Sequence, residues 1–205
     1  MTGVQTCALP IYLGGVLVES TGIVALQSLA PHLHDKQVVL ERWLRSQAVA
    51  LFERGRISGD EFAATFIQEW ELHLDKNTFL ASFASWVRGF YPGALQLIDG
   101  LRRQHRVACL SNTNAIHWAR MPEAQQIFDY PFASHLSGFM KPDREAYEHA
   151  LREMNVAATD VYFFDDLAQN IAAAREIGIN AFQVRGLVDT QATLRREKLL
   201  YDEHT

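Results

Sequence analysis

The stretch "VYFFDDLAQNIAAAREIG", Val161 to Gly178, carries the reading of the fold. An apolar, aromatic run ends on two aspartates, and a helical pattern follows that closes on a glycine. A short apolar run bounded by polar residues reads as a buried strand, and Gly178 as the stop of the helix after it. The unit is therefore strand, acidic turn, helix. The flanking sequence repeats it. "RVACL" is a short buried strand ending at Ser111, and "NAFQVRG" is a last strand before the terminal helix "DTQATLRREKLL". Between them "ALQLIDGLRRQ", "PEAQQIF" and "PDREAYEHALREMN" read as helices, the last with Pro142 in its first turn, and "ASHLSG" reads as a strand. Strands alternating with helices of this size imply right-handed βαβ units. The fold class is α/β, a doubly wound and mostly parallel sheet.

One region breaks the alternation. From Gly22 to Phe90 the spacing is helical, with few glycines or prolines. "QVVLERWLRSQAVALFERG" sets Val38, Val39, Trp43, Val49, Leu51 and Phe52 on apolar stripes, with Gly55 as C-cap. "SGDEFAATFIQEWELHL" starts at Ser58 or Asp60, and "NTFLASFASWVRGF" makes a further helix. These segments predict a small helical bundle inserted over the sheet edge where ligands bind. The division expected is a core of residues 12–20 and 91–205, a helical cap of 21–90, and a separate character for 1–11. Trp43, Trp70 and Trp86 fall at the spacing of cap core.

Bulk properties limit the function. The chain has 205 residues, enough for one domain with an insertion. Hydrophobic residues make 48% and charged ones 21%, with a formal charge of -5. Lys and Arg are scattered, so no nucleic-acid surface is expected. No apolar run reaches the length of a membrane span. Cys7 and Cys109 have neither metal nor redox spacing, and no basic segment opens the chain; both point to a cytoplasmic protein. It is expected to be a monomer or a weak dimer.

In an open parallel sheet, ligands sit outside the carboxyl ends of the strands. "RVACL" delivers Ser111-Asn112-Thr113-Asn114 there, "VYFFDD" delivers Asp165-Asp166, and Lys141 stands before Pro142 and a helix. Each has a plain alternative: a turn whose side chains bond the backbone, a solvated lysine, and a carboxylate pair settled by a helix N-terminus. Adjacent carboxylates repel unless a cation neutralises them, and Mg²⁺ prefers such oxygens. A hydroxyl and an amide can hold phosphate oxygens, and a lysine can neutralise them.

Taken in order, "YLGGVLVES", "LSNTN", "MKPDREAY" and "YFFDDLAQNI" resemble the four motifs of the haloacid dehalogenase superfamily, from Leu13 to about Leu194. Among its branches the strings look most like bacterial α-D-glucose-1-phosphate phosphatases. The resemblance implies a Mg²⁺-dependent phosphatase acting on a small phosphorylated metabolite, a sugar phosphate favoured, through an aspartyl-phosphate. It implies that Ser111 holds a phosphate oxygen, that Asn112 orients the substrate and that Lys141 pairs with the phosphoryl group. Asp166 would be the primary metal ligand, Asp165 its neighbour or second ligand, the Gly14 carbonyl a further ligand, and Asn170 would orient a metal-bound water. Trp86 and Arg88, just before the chain returns to the sheet, could touch substrate. His32 and His34 are read as solvent-facing, and His117 and Trp118, which could also line the cleft, as helix packing.

Two positions depart from the family. Gly14 stands where many members have an acidic proton donor, so the leaving group must take its proton from elsewhere, such as water or the cap. Tyr12 stands where the nucleophilic aspartate belongs. A phenol with a pKa near 10 does not replace a carboxylate. The run before it, Thr2 to Ile11, is a poor strand, broken by Gln5, Thr6 and Pro10, and it resembles the translation of a common sequencing adapter. Tyrosine and aspartate codons differ in their first base alone. The expectation is that Tyr12 is a junction over a native aspartate, that residues 1–11 are foreign, and that the chain as written is inactive. The alternative is a catalytically silent homologue that binds phosphorylated ligands.

Overall fold

The computed structural model describes residues 8–11 and 15–201, with side chains from Gly15 onward. Tyr12, Leu13 and Gly14 lie outside the described residues. In chain order, β1 (Ala8–Ile11) and β2 (Val18–Ser20) precede five helices: α1 (Gly22–Leu29), α2 (Lys36–Arg45), α3 (Gln47–Glu53), α4 (Gly59–Glu69) and α5 (Lys76–Ala84). Then come β3 (Val87–Phe90), α6 (Ala94–Arg102), β4 (Arg106–Ser111), α7 (Ala115–Trp118), α8 (Pro122–Ile127), β5 (Tyr130–Ala133) and α9 (Ser134–Ser137). The chain closes with α10 (Arg144–Met154), β6 (Tyr162–Asp165), α11 (Ala168–Glu176), β7 (Asn180–Gln183) and α12 (Gly186–Arg196).

Five strands form one parallel sheet in the order β5-β4-β1-β6-β7. The chain steps outward through β4 and β5, then crosses to β6 and β7. The order reverses at β1, and a crevice opens outside the carboxyl ends of the strands there. Ile11, the last residue of β1, stands level with Cys109 on one side and Phe164 on the other.

Alternation along the strands feeds two helical layers. Val107 and Cys109 of β4, with Phe164 of β6, pack toward Ala94, Leu97, Ile98, Ala124 and Leu194. Ala108, Leu110 and Phe163 face the other way, toward Tyr147, Ala150, Met154 and Ile171. The inserted helices have a core of their own, with Phe52, Phe62, Phe66, Phe79, Phe83 and Trp70 buried together. Its rings stack, Phe52 on Phe62 with centroids 4.4 Å apart.

Five details correct the sequence reading. The pattern from Gln37 to Gly55 is two helices, because Ser46 leaves the helical conformation and its side chain caps α3 at the Val49 amide. Val38, placed on an apolar stripe, is largely exposed. The last cap helix ends at Ala84, and Val87–Phe90 is a strand that pairs antiparallel with β2, Val18 opposite Phe90. Both connections between cap and core thus run through one two-stranded ribbon. The strand expected in "ASHLSG" lies earlier, in Tyr130–Ala133, and Ser134–Ser137 is a helical turn. Pro142 stands before the N-cap Asp143 rather than inside α10, and the Lys141–Pro142 peptide is cis.

Gly55 and Ser58 behave as their residue types require. Gly55 takes φ +66° one place beyond the cap of α3, with its N–H on the Phe52 carbonyl and the Arg56 N–H on Leu51. That is the double bond set of a Schellman end. Ser58 caps α4, and Glu61 returns the bond in a capping box.

Candidate active site

β4 and β6 end on either side of β1, which brings two distant polar segments to one edge. Ser111, the last residue of β4, is buried but faces a cavity of about 310 Å³ between core and cap. Asn112 and Thr113 share that wall, and Asp166 and Asn170 approach from the β6 side. The Ser111 hydroxyl makes no hydrogen bond among the described residues, which leaves it for a ligand.

Asn112 is already employed. Its Nδ2 donates to the Lys141 carbonyl at 2.8 Å and its Oδ1 accepts from the Lys141 N–H at 2.9 Å. Both ends of the amide fasten the β4 turn to the Lys141 turn. Its first role is to position Lys141, and it reaches the cavity beside that role. Ser134 locks the next residue in the same way, its hydroxyl donating to the Thr113 carbonyl and accepting from the Thr113 N–H.

Lys141 and Asp165 are both buried, with Nζ 2.8 Å from Oδ2. The ammonium also donates to the Leu110 carbonyl at 2.6 Å and lies 5.3 Å from the centre of the Phe163 ring. Burial pushes the Lys141 ammonium down, and the charge of Asp165 pulls it back. The other oxygen of Asp165 accepts from the Leu167 N–H and from Asn170 Nδ2, each at 2.9 Å.

The two aspartates therefore have different work. Asp165, expected as a second metal ligand, has both oxygens committed to protein donors and does not line the cavity. Asp166 does line it, and its Oδ1 is buried with no hydrogen-bond partner among the described residues. Burial, and then the charge of Asp165, pushes the Asp166 carboxyl up to about 6. Asn170 Oδ1 is buried and unpartnered as well, while its backbone carbonyl accepts from the Tyr147 hydroxyl at 2.9 Å.

Two orphaned oxygens beside a raised carboxyl fit a hard cation. No group of three or more His, Cys, Asp and Glu side chains able to hold a metal occurs among the described residues. Mg²⁺ takes one or two carboxylates and keeps its waters. The turn above the site supports the same reading. Gly15 has φ +70°, and a Cβ built on it would stand 2.5 Å from Asp166 Oδ2. Glycine lets the backbone approach the carboxylate. The Gly14 carbonyl and Tyr12, the two remaining expected site positions, lie outside the described residues.

The cap wall is mostly apolar, with Ile23, Leu26, Leu40, Trp43, Leu44 and Trp86. Trp86 lines the cavity and is otherwise buried, its Nε1 donating to Ser82. Arg88, expected beside it at the substrate, is exposed on β3 and is not among the residues lining the cavity. Strand alternation turns it away from the wall that Val87 forms. His117, read as packing, does both: it stacks on Phe83 with centroids 4.2 Å apart and touches the cavity.

One residue was missed from the sequence. Glu53, the last residue of α3, is the one ionisable cap side chain among those lining the cavity. A carboxylate at a helix C-terminus faces the negative end of the dipole, and that misplacement is the signal the sequence offered.

Comparisons with known proteins point to one family. A family model described as haloacid dehalogenase-like hydrolase matches residues 15–178. A D-ribitol-5-phosphate phosphatase of Bacteroides thetaiotaomicron is 28% identical over 194 residues, covering 88% of this chain and 93% of that protein. A sesquiterpene phosphatase of Aspergillus oryzae is 28% identical over 190 residues, covering 90% and 92%. The fold matches a haloacid dehalogenase family enzyme of Bacteroides thetaiotaomicron, solved with magnesium and inorganic phosphate. The TM-score is 0.70 at 22% identity, over 88% of this chain and 94% of that one. The parallel sheet with its inserted helical cap and the matched family model lead to one conclusion: the chain belongs to the haloacid dehalogenase-like hydrolases.

Proposed function

We propose that the protein, with an aspartate at position 12, is a Mg²⁺-dependent phosphatase of small phosphate monoesters, with a sugar phosphate as the leading substrate class. The observation that carries this is the cavity wall, which Ser111, Asp166 and Asn170 line together, the first with a hydroxyl that makes no hydrogen bond among the described residues and the other two each with a buried oxygen that has no partner among them. Ser111 holds a phosphate oxygen there. Asp166 would hold the metal together with the Gly14 carbonyl, and Asn170 would orient a water on it. Mg²⁺ bound there would supply neutralisation of the phosphate charge as it develops. The Lys141–Asp165 pair sits behind the wall, and Asn112 fixes the turn that carries it. The carboxylate at position 12 attacks phosphorus, the ester bond to the leaving oxygen breaks, and water then hydrolyses the aspartyl-phosphate. The cap excludes bulk water while this happens. The curated relatives support the class, since one acts on a polyol phosphate and one on a sesquiterpene phosphate by name.

On this reading Tyr12 disables the chain as written, and Thr2–Ile11 is foreign sequence whose last four residues, Ala8–Ile11, form the central strand. β1 includes Pro10, which has no N–H to give to either neighbour. Tyr12→Asp is expected to release phosphate from p-nitrophenyl phosphate with Mg²⁺ and not with EDTA, while the unaltered chain releases almost none. Equal activity in both refutes the nucleophile assignment. Re-reading the gene from independent DNA tests the seam: an intact clone still encoding "CALPIY" refutes it. Tyr12 itself favours one other reading, a silent binder of phosphorylated ligands. Mg²⁺ and phosphate affinity without turnover in Tyr12→Asp is the outcome that reading requires.

A further inference from the structure

We propose that Glu53 is the cap's proton donor to the leaving oxygen, in place of the acidic residue that Gly14 replaces. The proposal rests on the phosphatase reading. Four residues lining the cavity carry ionisable side chains: Glu53, Tyr91, His117 and Asp166. Asp166 belongs to the metal position. Both ring nitrogens of His117 are used, Nε2 at 2.8 Å from the Phe83 carbonyl and Nδ1 at 3.2 Å from Asn114 Nδ2. A phenol is a far weaker proton donor than a carboxyl group. Glu53 remains, and it makes no hydrogen bond or ion pair among the described residues.

Its placement is fixed rather than incidental. The residues just after it anchor the end of α3 to the core. Arg54 Nη1 donates to the Gly138 carbonyl at 3.2 Å, and its Nη2 pairs with Asp143. Gly55 passes so close that a Cβ there would stand 2.3 Å from the His135 carbonyl oxygen. The cap is pinned to the core one residue beyond Glu53, which holds that carboxyl against the cavity. The field of Lys141, on the core side, reaches it. Burial pushes the Glu53 carboxyl up to about 7 against that field, so an appreciable fraction carries a proton at neutral pH.

The step balances. As the carboxylate at position 12 bonds to phosphorus, the P–O ester bond breaks and its electron pair stays on the leaving oxygen. That oxygen takes the Glu53 proton, leaving a neutral alcohol and a Glu53 carboxylate. The carboxylate then takes a proton from the water that hydrolyses the aspartyl-phosphate.

The test compares two substrates in the Tyr12→Asp background. An alkyl phosphate, ribitol 5-phosphate, leaves as a strongly basic alkoxide and needs the proton. p-Nitrophenyl phosphate leaves as a stabilised phenolate and does not. Glu53→Gln is expected to lower kcat on the alkyl ester by about 100-fold or more, and to change the aryl ester by less than about threefold. Retained aryl turnover also shows that the variant is folded. Equal losses on both esters, a raised KM with kcat unchanged, or no loss on either overturns the assignment. Absence of aryl turnover in Tyr12→Asp itself overturns the phosphatase reading, and the assignment with it. Glu53→Asp, which keeps the acid but shortens its reach, is expected to fall between the two on the alkyl ester; a value at or below that of Glu53→Gln counts against proton donation.

Discussion

Lys141 and Asp165 have no exposed side-chain surface and stand 2.8 Å apart, so neither charge has water to fall back on. Removing Lys141 leaves the Asp165 carboxylate buried without its cation, held by two neutral donors alone, which costs about 3–5 kcal/mol. Lys141→Met is therefore expected to lower unfolding free energy by that order in a denaturant titration, in the chain as written and without any ligand. A loss below about 1 kcal/mol would mean that the pair is not closed off from solvent. The sequence made the acidic pair at the end of "YFFDD" legible as a functional feature. It could not show which aspartate does which work, because that depends on Lys141, 24 residues away, and on Asn170 and the Leu167 amide. Asn112 was read as a substrate contact for the same reason. Its two bonds to the backbone of Lys141 join residues 29 apart in the chain.

Elements were legible where their signals are local. The strand "RVACL" ending at Ser111, the capping of α4 by Ser58 and the Gly55 helix end all follow from neighbouring residues. The ribbon of β2 and β3 was missed because its pairing is not local. Three residues, Val18–Ser20, pair with a strand nearly seventy residues on, and "SWVRGF" alone continues a helical pattern. Beside this ribbon, α7 of the core grips α5 of the cap through His117. The ring stacks on Phe83 and bonds its carbonyl, and burial pushes the imidazole down to about 4. The unfolded chain then binds the proton more readily than the folded one. Between pH 6.5 and 4 the His117 share of stability is lost as pH falls, while the raised carboxyls of Glu53 and Asp166 act in the opposite direction. Over that range His117→Gln should lose less stability in thermal melts than the unaltered chain; His105 and His135, also pushed down, act in the same direction as His117. An equal loss would contradict the buried, neutral state of His117.

At the scale of the molecule, the division of labour follows from the chain order. The sheet reverses its order at β1, which gathers the ends of β4 and β6. The insertion after β2 places a separately packed aromatic bundle over that edge, and the cavity forms between them. The core side of the cavity carries Ser111, Asn112, Thr113, Asp166 and Asn170, among them the groups that the proposed function gives to phosphate and metal. The cap side is apolar apart from Glu53, and the proposed function sets it against the rest of the substrate. On the proposed function, the position of the nucleophile is held by Tyr12. The most direct test is to trap the reaction at that residue. Tyr12→Asp is mixed with Mg²⁺ and excess p-nitrophenyl phosphate, quenched in acid within the first turnover, and digested for mass spectrometry. A phosphoryl group on Asp at position 12 is the expected result. Steady turnover with that residue unmodified, or with the phosphoryl group on another side chain, would contradict it.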